Sequence, residues 1–170
     1  MKKRILSVSK RGQMNLSFGM IFSIILIIVF ISFAFFAIKK FISLSESVQI
    51  EKFANDLQND IDKAWKGSQS SQTREYFLPS KIKYLCLIDY SKKSVGKNSQ
   101  FYDELRNVYL ETENLFFYPI GSAEGLNSKE IKHIDLEKTT ATQNPLCFEN
   151  KENIKIFLKK EYGEALVTIQ

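Results

Sequence analysis

The side chains that could form a reactive or cross-linked site are few and lie far apart in this 170-residue chain. Its two cysteines, Cys86 and Cys147, form no C-x-x-C motif, so a zinc or redox site of that kind is not indicated. Two interpretations stay open. In an oxidising compartment the pair would form a disulfide that contributes about 4 kcal/mol by loop closure. The alternative is two buried free thiols, because both cysteines have leucine or phenylalanine neighbours.

His133 is the one histidine of the chain. If the segment IKHIDLE forms a strand, His133, Asp135 and Glu137 point to one side and could act as metal ligands or as an acid–base group. The solvent face of an amphipathic strand explains the same pattern. We favour that interpretation because a zinc site takes three or four ligands and no second histidine is present.

The motifs of common enzyme classes are also missing. The chain has neither the G-x-x-x-x-G-K phosphate loop nor the G-x-S-x-G nucleophile elbow. Asp56 and Asp60 are four residues apart on a predicted helix, and we interpret them as residues of its solvated face. We therefore expect a non-catalytic protein with no metal and no cofactor.

One uncharged segment dominates the N-terminal part of the chain. The 23 residues from Leu16 to Ile38 include no charge and no proline. As a helix they would extend about 34 Å, enough to cross a hydrocarbon core of about 30 Å. A secretory signal has a shorter apolar region, so we predict a transmembrane helix within residues 13–40. Gly19 and Ser23 are four residues apart in it, a spacing that favours close approach of a second helix.

The net charge of +5 arises at the N-terminus. Five of the 24 basic residues lie in the first twelve positions, and the other 19 balance the 19 acidic residues. The five are Lys2, Lys3, Arg4, Lys10 and Arg11. A neutral remainder cannot drive phosphate binding by counterion release, so we expect no nucleic-acid partner. The positive-inside rule places residues 1–12 in the cytoplasm and the C-terminal domain outside the cell membrane.

The junction SKRGQMNLSF, between the basic leader and the apolar segment, resembles the leader of archaeal type IV pilin-like proteins. In that family a prepilin-type peptidase cuts between glycine and glutamine, and the hydrophobic helix remains in the mature protein. The resemblance covers about the first 40 residues and implies a cut between Gly12 and Gln13. The fifth mature residue of the family is usually glutamate, whereas here it is Ser17. This departure favours a minor subunit or a processed protein that does not polymerise.

Two functions follow from these features. The first is a single-pass, pilin-like cell-surface protein whose extracytoplasmic head serves assembly or adhesion. The resemblance implies the prepilin-type peptidase as a partner, and self-association or contact with other pilin-like subunits beside the lipid bilayer. The second is an uncleaved signal-anchor protein whose outer domain binds a ligand or another protein.

The helical pattern continues after the apolar segment. In residues 41–66 apolar side chains recur every three or four positions, which predicts an amphipathic extension of the stem helix. They are Ile50, Phe53, Leu57, Ile61, Ala64 and Trp65. Gly67 and the following serines predict the end of the helix and a linker at residues 67–74.

The remaining residues, 75–170, are predicted to form a mixed head. KIKYLCLIDY alternates as a half-buried strand, with EYFLP as its antiparallel neighbour. A helix is expected behind Ser99, a short strand in NLFFYPIG, and a C-terminal hairpin that turns at Gly163. NSKEIKHIDLEK fits either a short helix or a strand. The fold class is α+β and pilin-like: a long N-terminal transmembrane and amphipathic stem helix packed on a small antiparallel sheet.

Overall fold

The computed structural model describes residues 18–108, 112–151 and 153–170. The chain divides into two compact units, Met1–Phe41 and Ile42–Gln170. The described residues form three helices: α1 (Phe18–Lys66), α2 (Ser99–Arg106) and α3 (Leu136–Thr139). They also form seven strands: β1 (Ser70–Tyr76), β2 (Tyr84–Leu87), β3 (Leu115–Tyr118), β4 (Ser128–Lys129), β5 (Leu146–Glu149), β6 (Ile154–Lys160) and β7 (Thr168–Ile169). The predicted α+β class is confirmed.

Helix α1 ends at Lys66, as its sequence pattern predicts. Within the second unit it buries one face, made of Ile50, Phe53, Ala54, Leu57, Ile61 and Ala64. This is the predicted apolar stripe, except that Trp65 stays 36% exposed. At the end of the helix the ammonium of Lys160 donates to the carbonyl oxygens of Trp65 and Gly67. A cation there compensates the negative end of the helix dipole.

Two antiparallel sheets cover this face of α1, where a single small sheet was expected. The first has the order β1-β6-β7 and the second the order β4-β3-β2-β5. In the first, Ser70 lies opposite Lys160 and Tyr76 opposite Ile154. The linker prediction for residues 67–74 is therefore wrong from Ser70 onward. The pairing predicted for EYFLP is also wrong, because β1 pairs with β6 while β2 lies between β3 and β5.

The ring of Phe53 joins α1 to both sheets. Its centroid lies 5.3 Å from that of Tyr76 on β1 and 5.9 Å from that of Phe117 on β3, both edge to face. These rings belong to the main core, which α1 and both sheets share. Aromatic pairs in this geometry contribute about 1 kcal/mol beyond the area that they bury.

Strand β2 is buried on both faces, so the prediction of a half-buried strand is wrong. Leu85 and Leu87 point into the main core. Cys86 points the other way, into a second cluster with Phe101 and Leu105 of α2. Helix α2 covers the second face of this sheet, which would otherwise face solvent. The alternating pattern of the strand predicts one solvent-exposed face and could not reveal that a helix covers it.

The C-terminal hairpin matches its prediction, with β6 antiparallel to β7 and Gly163 at a φ of 85°. The ambiguous segment contains both kinds of element, because β4 lies at its start and α3 at its end. Helix α2 lies where it was expected, but it begins at Ser99 itself rather than behind it. Asn98 precedes the helix and makes no side-chain cap bond.

Replacing Leu57 by alanine tests the packing of α1 on the sheets. Leu57 is fully buried, so the lost contacts and the residual cavity should lower the free energy of unfolding by about 3 kcal/mol. Denaturant unfolding of the detergent-solubilised chain, followed by Trp65 fluorescence, measures this change. Asn59→Ala is the control, since Asn59 is exposed on the same helix. Equal midpoints for the two variants would contradict the packing.

Candidate functional site

The most extensive unusual surface of the chain is the N-terminal part of α1. Every residue from Phe18 to Ile42 is exposed, with Phe18 at 84% and Phe33 at 68%. The helix is long and apolar enough to cross a membrane, and its most apolar window has no buried residue. A core helix of a soluble protein would bury such side chains, because exposing them to water is unfavourable. This part of α1 is therefore a candidate membrane-spanning helix.

The residues predicted for processing, Gly12 and Gln13, lie outside the described residues. The predicted helix-association pair, Gly19 and Ser23, lies on exposed α1, where the Ser23 hydroxyl donates to the carbonyl oxygen of Gly19 at 2.8 Å. This bond satisfies the hydroxyl within its own helix, as serine does in apolar surroundings. Close approach of a second helix here stays a prediction.

Cys86 and Cys147 form a disulfide in the structure, with their sulfur atoms 2.06 Å apart. The two residues are register partners on β2 and β5. Phe116 of β3, which pairs with β2 on its other edge, lies in the same buried cluster as Cys86. The sequence left open a disulfide or two free thiols, and the structure contains the disulfide.

The structure does not bring together His133, Asp135 and Glu137 of the segment IKHIDLE. His133 has a φ of 65°, which no regular strand has. Asp135 caps α3 by accepting from the amide of Lys138 at 2.9 Å, and Glu137 pairs with Lys92. Within the described residues no group of three or more His, Cys, Asp or Glu could hold a metal ion.

His133 instead fastens its loop to the last turns of α1. Its ring stacks on Trp65 with centroids 3.8 Å apart, and its Nδ1 donates to Asp62 Oδ1 at 2.8 Å. One helical turn earlier, the amide of Gln58 accepts from the backbone N–H of Lys132 at 2.9 Å and donates to Asp62 at 2.8 Å. The hydrogen bond from His133 lowers the pKa of Asp62; burial opposes the shift, and the bond from Gln58 adds to it.

Asp60 departs from its prediction as a solvated residue, whereas Asp56 is exposed as predicted. The Asp60 side chain is only 15% exposed and accepts from the hydroxyl of Tyr76 at 3.0 Å. Arg74 lies 3.6 Å from the same carboxylate. Burial, followed by the negative charge of Asp60, raises the pKa of Tyr76 well above its usual value. This group joins α1 to β1 and is structural.

A polar cluster that the sequence did not reveal lies at the start of the second unit. Lys81 pairs with Glu46 of α1 at 2.6 Å and with Glu124 at 2.9 Å. The other carboxylate oxygen of Glu124 accepts from the hydroxyl of Ser43 at 3.0 Å. Burial opposes the charge of Lys81, but the two carboxylates outweigh it and raise its pKa. We call these four residues the Lys81 cluster.

Comparison with known proteins gives no significant match: no protein-family model, no curated protein sequence and no solved structure is significantly similar to this chain.

The lowered pKa of Asp62 predicts how the His133 contacts respond to acid. A carboxyl whose pKa is lower in the folded state stabilises the protein above the usual value, here 3.8, and loses this effect as the pH falls through its folded pKa. Asp62→Asn should therefore lower the melting temperature at neutral pH, and the difference from wild type should shrink below about pH 4.

Thermal unfolding between pH 7 and pH 3 measures this difference. Asp56→Asn is the matched control, because Asp56 is exposed on the same helix. A deficit of Asp62→Asn that stays constant or grows in acid would contradict the assigned contact.

Proposed function

We propose that the chain is a single-pass, pilin-like cell-surface protein whose extracytoplasmic head is non-catalytic. One observation carries the proposal: a single helix, α1, exposes apolar residues throughout Phe18–Ile38 and then buries a narrow apolar stripe from Ile50 to Ala64. Lipid is a favourable solvent for the first part, and the two sheets cover the second.

The arrangement of the second unit supports the pilin-like part of the proposal. A stem helix packed along antiparallel strands is the arrangement that the leader resemblance implies. The leader then supplies the remaining step, in which a prepilin-type peptidase cuts between Gly12 and Gln13 at the cytoplasmic face. After the cut, α1 serves both as the membrane anchor and as the central helix of the head.

The location of the head outside the cell is supported by two independent features. The basic residues precede the apolar segment, which by the positive-inside rule keeps the N-terminus in the cytoplasm. The Cys86–Cys147 disulfide is stable in an oxidising compartment and is rare in the cytosol. The head then serves in assembly with other pilin-like subunits or in adhesion.

Ser17 favours a restricted role within this class. A glutamate at this position is costly to bury in lipid unless a neighbouring subunit pairs with it, and the serine removes that requirement. A minor subunit, or a processed protein that stays single in the membrane, fits this residue better than a major filament subunit does.

The proposal predicts that the mature chain begins at Gln13. The tagged full-length chain is expressed with and without a prepilin-type peptidase, extracted from membranes, and measured by intact mass and N-terminal sequencing. Loss of residues 1–12 only in the presence of the peptidase is the expected result.

Two variants sharpen this experiment. Gly12→Leu should retain the leader, since a bulky side chain replaces the glycine of the junction. Ser7→Ala changes the leader outside the junction SKRGQMNLSF and should be processed normally. A wild-type chain that keeps Met1 in the presence of the active peptidase would instead support the uncleaved signal anchor with a ligand-binding outer domain.

A further inference from the structure

Apolar exposure on α1 does not end with the predicted membrane span. After Lys39 and Lys40, the side chains of Ile42, Leu44 and Val48 are 52%, 64% and 57% exposed. These three residues belong to the second unit. Exposure of three large apolar side chains within seven helical residues is unfavourable in water, and contact with lipid would remove that cost.

One loop of the head extends to the same level of the helix. Phe117, at the end of β3, packs against Phe53. Seven residues later Glu124 bonds to Ser43, ten residues nearer to the N-terminus of α1. Ten helical residues correspond to about 15 Å. The loop between β3 and β4, residues 119–125, therefore projects from the body of the sheet toward the start of the second unit.

The Lys81 cluster holds this loop in place. Lys81 bridges Glu46 of α1 and Glu124 of the loop, and the three side chains are 25%, 28% and 43% exposed. Charges that are paired with one another, and only partly exposed, can lie beside an apolar phase at lower cost than unpaired ones. In the same loop Ile120 is 37% exposed, and Gly121 carries no side chain.

The position of Ser43 sets the depth of this surface relative to a bilayer. Ser43 follows Ile38, the last residue of the apolar run, by five positions, or about 8 Å of helix. The polar headgroup layer on each side of a bilayer is about 5–8 Å thick, from a total of about 40–45 Å and a core of about 30 Å. If α1 spans the membrane, Ser43 and its partner Glu124 lie at the outer boundary of that layer.

We infer that loop 119–125 and the α1 residues Ile42 and Leu44 form a second lipid-contact surface at the outer boundary of the headgroup layer of the outer leaflet. This inference depends on the membrane anchorage proposed above. Its partner is the lipid surface, because exposed apolar side chains resume directly after Lys39 and Lys40, with Phe41 at 73%, Ile42 at 52% and Leu44 at 64% exposure. The contact restrains the head at the membrane surface in addition to the single helix.

Site-directed spin labelling tests the inference in the full chain. The native cysteines are joined in the disulfide, so an introduced cysteine is the one free thiol. Labels are placed at Ile120→Cys and Leu44→Cys for the proposed surface. Phe36→Cys in the span and Tyr162→Cys at the exposed hairpin turn are the lipid and water controls. The protein is reconstituted in phosphatidylcholine–phosphatidylglycerol vesicles.

For each label, two collision rates are measured: one with oxygen, which partitions into lipid, and one with a water-soluble nickel chelate. Their quotient is the oxygen-to-nickel ratio. The oxygen-to-nickel ratio at Ile120 and Leu44 should be severalfold higher than at Tyr162 and lower than at Phe36. Either labelled site decides the matter alone if the other variant fails to fold.

The contrary outcomes are distinct. A ratio equal to that of Tyr162, with a high ratio at Phe36, overturns the second contact and leaves the anchor standing. Shielding of Ile120 and Leu44 from both reagents means that protein covers them, as in a second copy of the chain, and also overturns it. A water-like ratio at Phe36 removes both the anchor and the inference.

Discussion

The rest of this structure depends on a change of surface along one helix, α1. In its N-terminal part α1 exposes apolar side chains on all sides, and a helix satisfies its own backbone hydrogen bonds, which lipid cannot do. In its C-terminal part only one stripe is apolar and the opposite face is polar. The change from uniform to one-sided hydrophobicity determines where a protein core can begin.

The head is organised around that stripe. Phe53 contacts a ring from each sheet, so the two sheets meet over the same helix face. The second sheet carries its own smaller core under α2, with the disulfide within it. Polar contacts join loops to the helix at both ends of the stripe. The Lys81 cluster does so at one end, and the hydrogen bond from His133 to Asp62 does so at the other.

The extent of α1 and its buried stripe could be predicted because helical periodicity is local and α1 contains no proline or glycine between Gly19 and Gly67. The pairing of β1 with β6 could not, since the polar segment SSQTREY has no alternating pattern and its partner lies about 80 residues away. His133 at positive φ and the ion pairs of Lys81 depend on where loops meet α1. The junction at Gly12 and Gln13 stays a prediction.

Extraction of cell membranes with alkaline carbonate is the most direct test of lipid as the solvent of the N-terminal part of α1. The treatment removes peripheral proteins and leaves proteins with a spanning helix in the pellet. The chain should remain in the pellet and should be released by detergent. Recovery of the intact chain, leader included, from the supernatant without detergent would contradict the membrane anchor, and with it the proposed function.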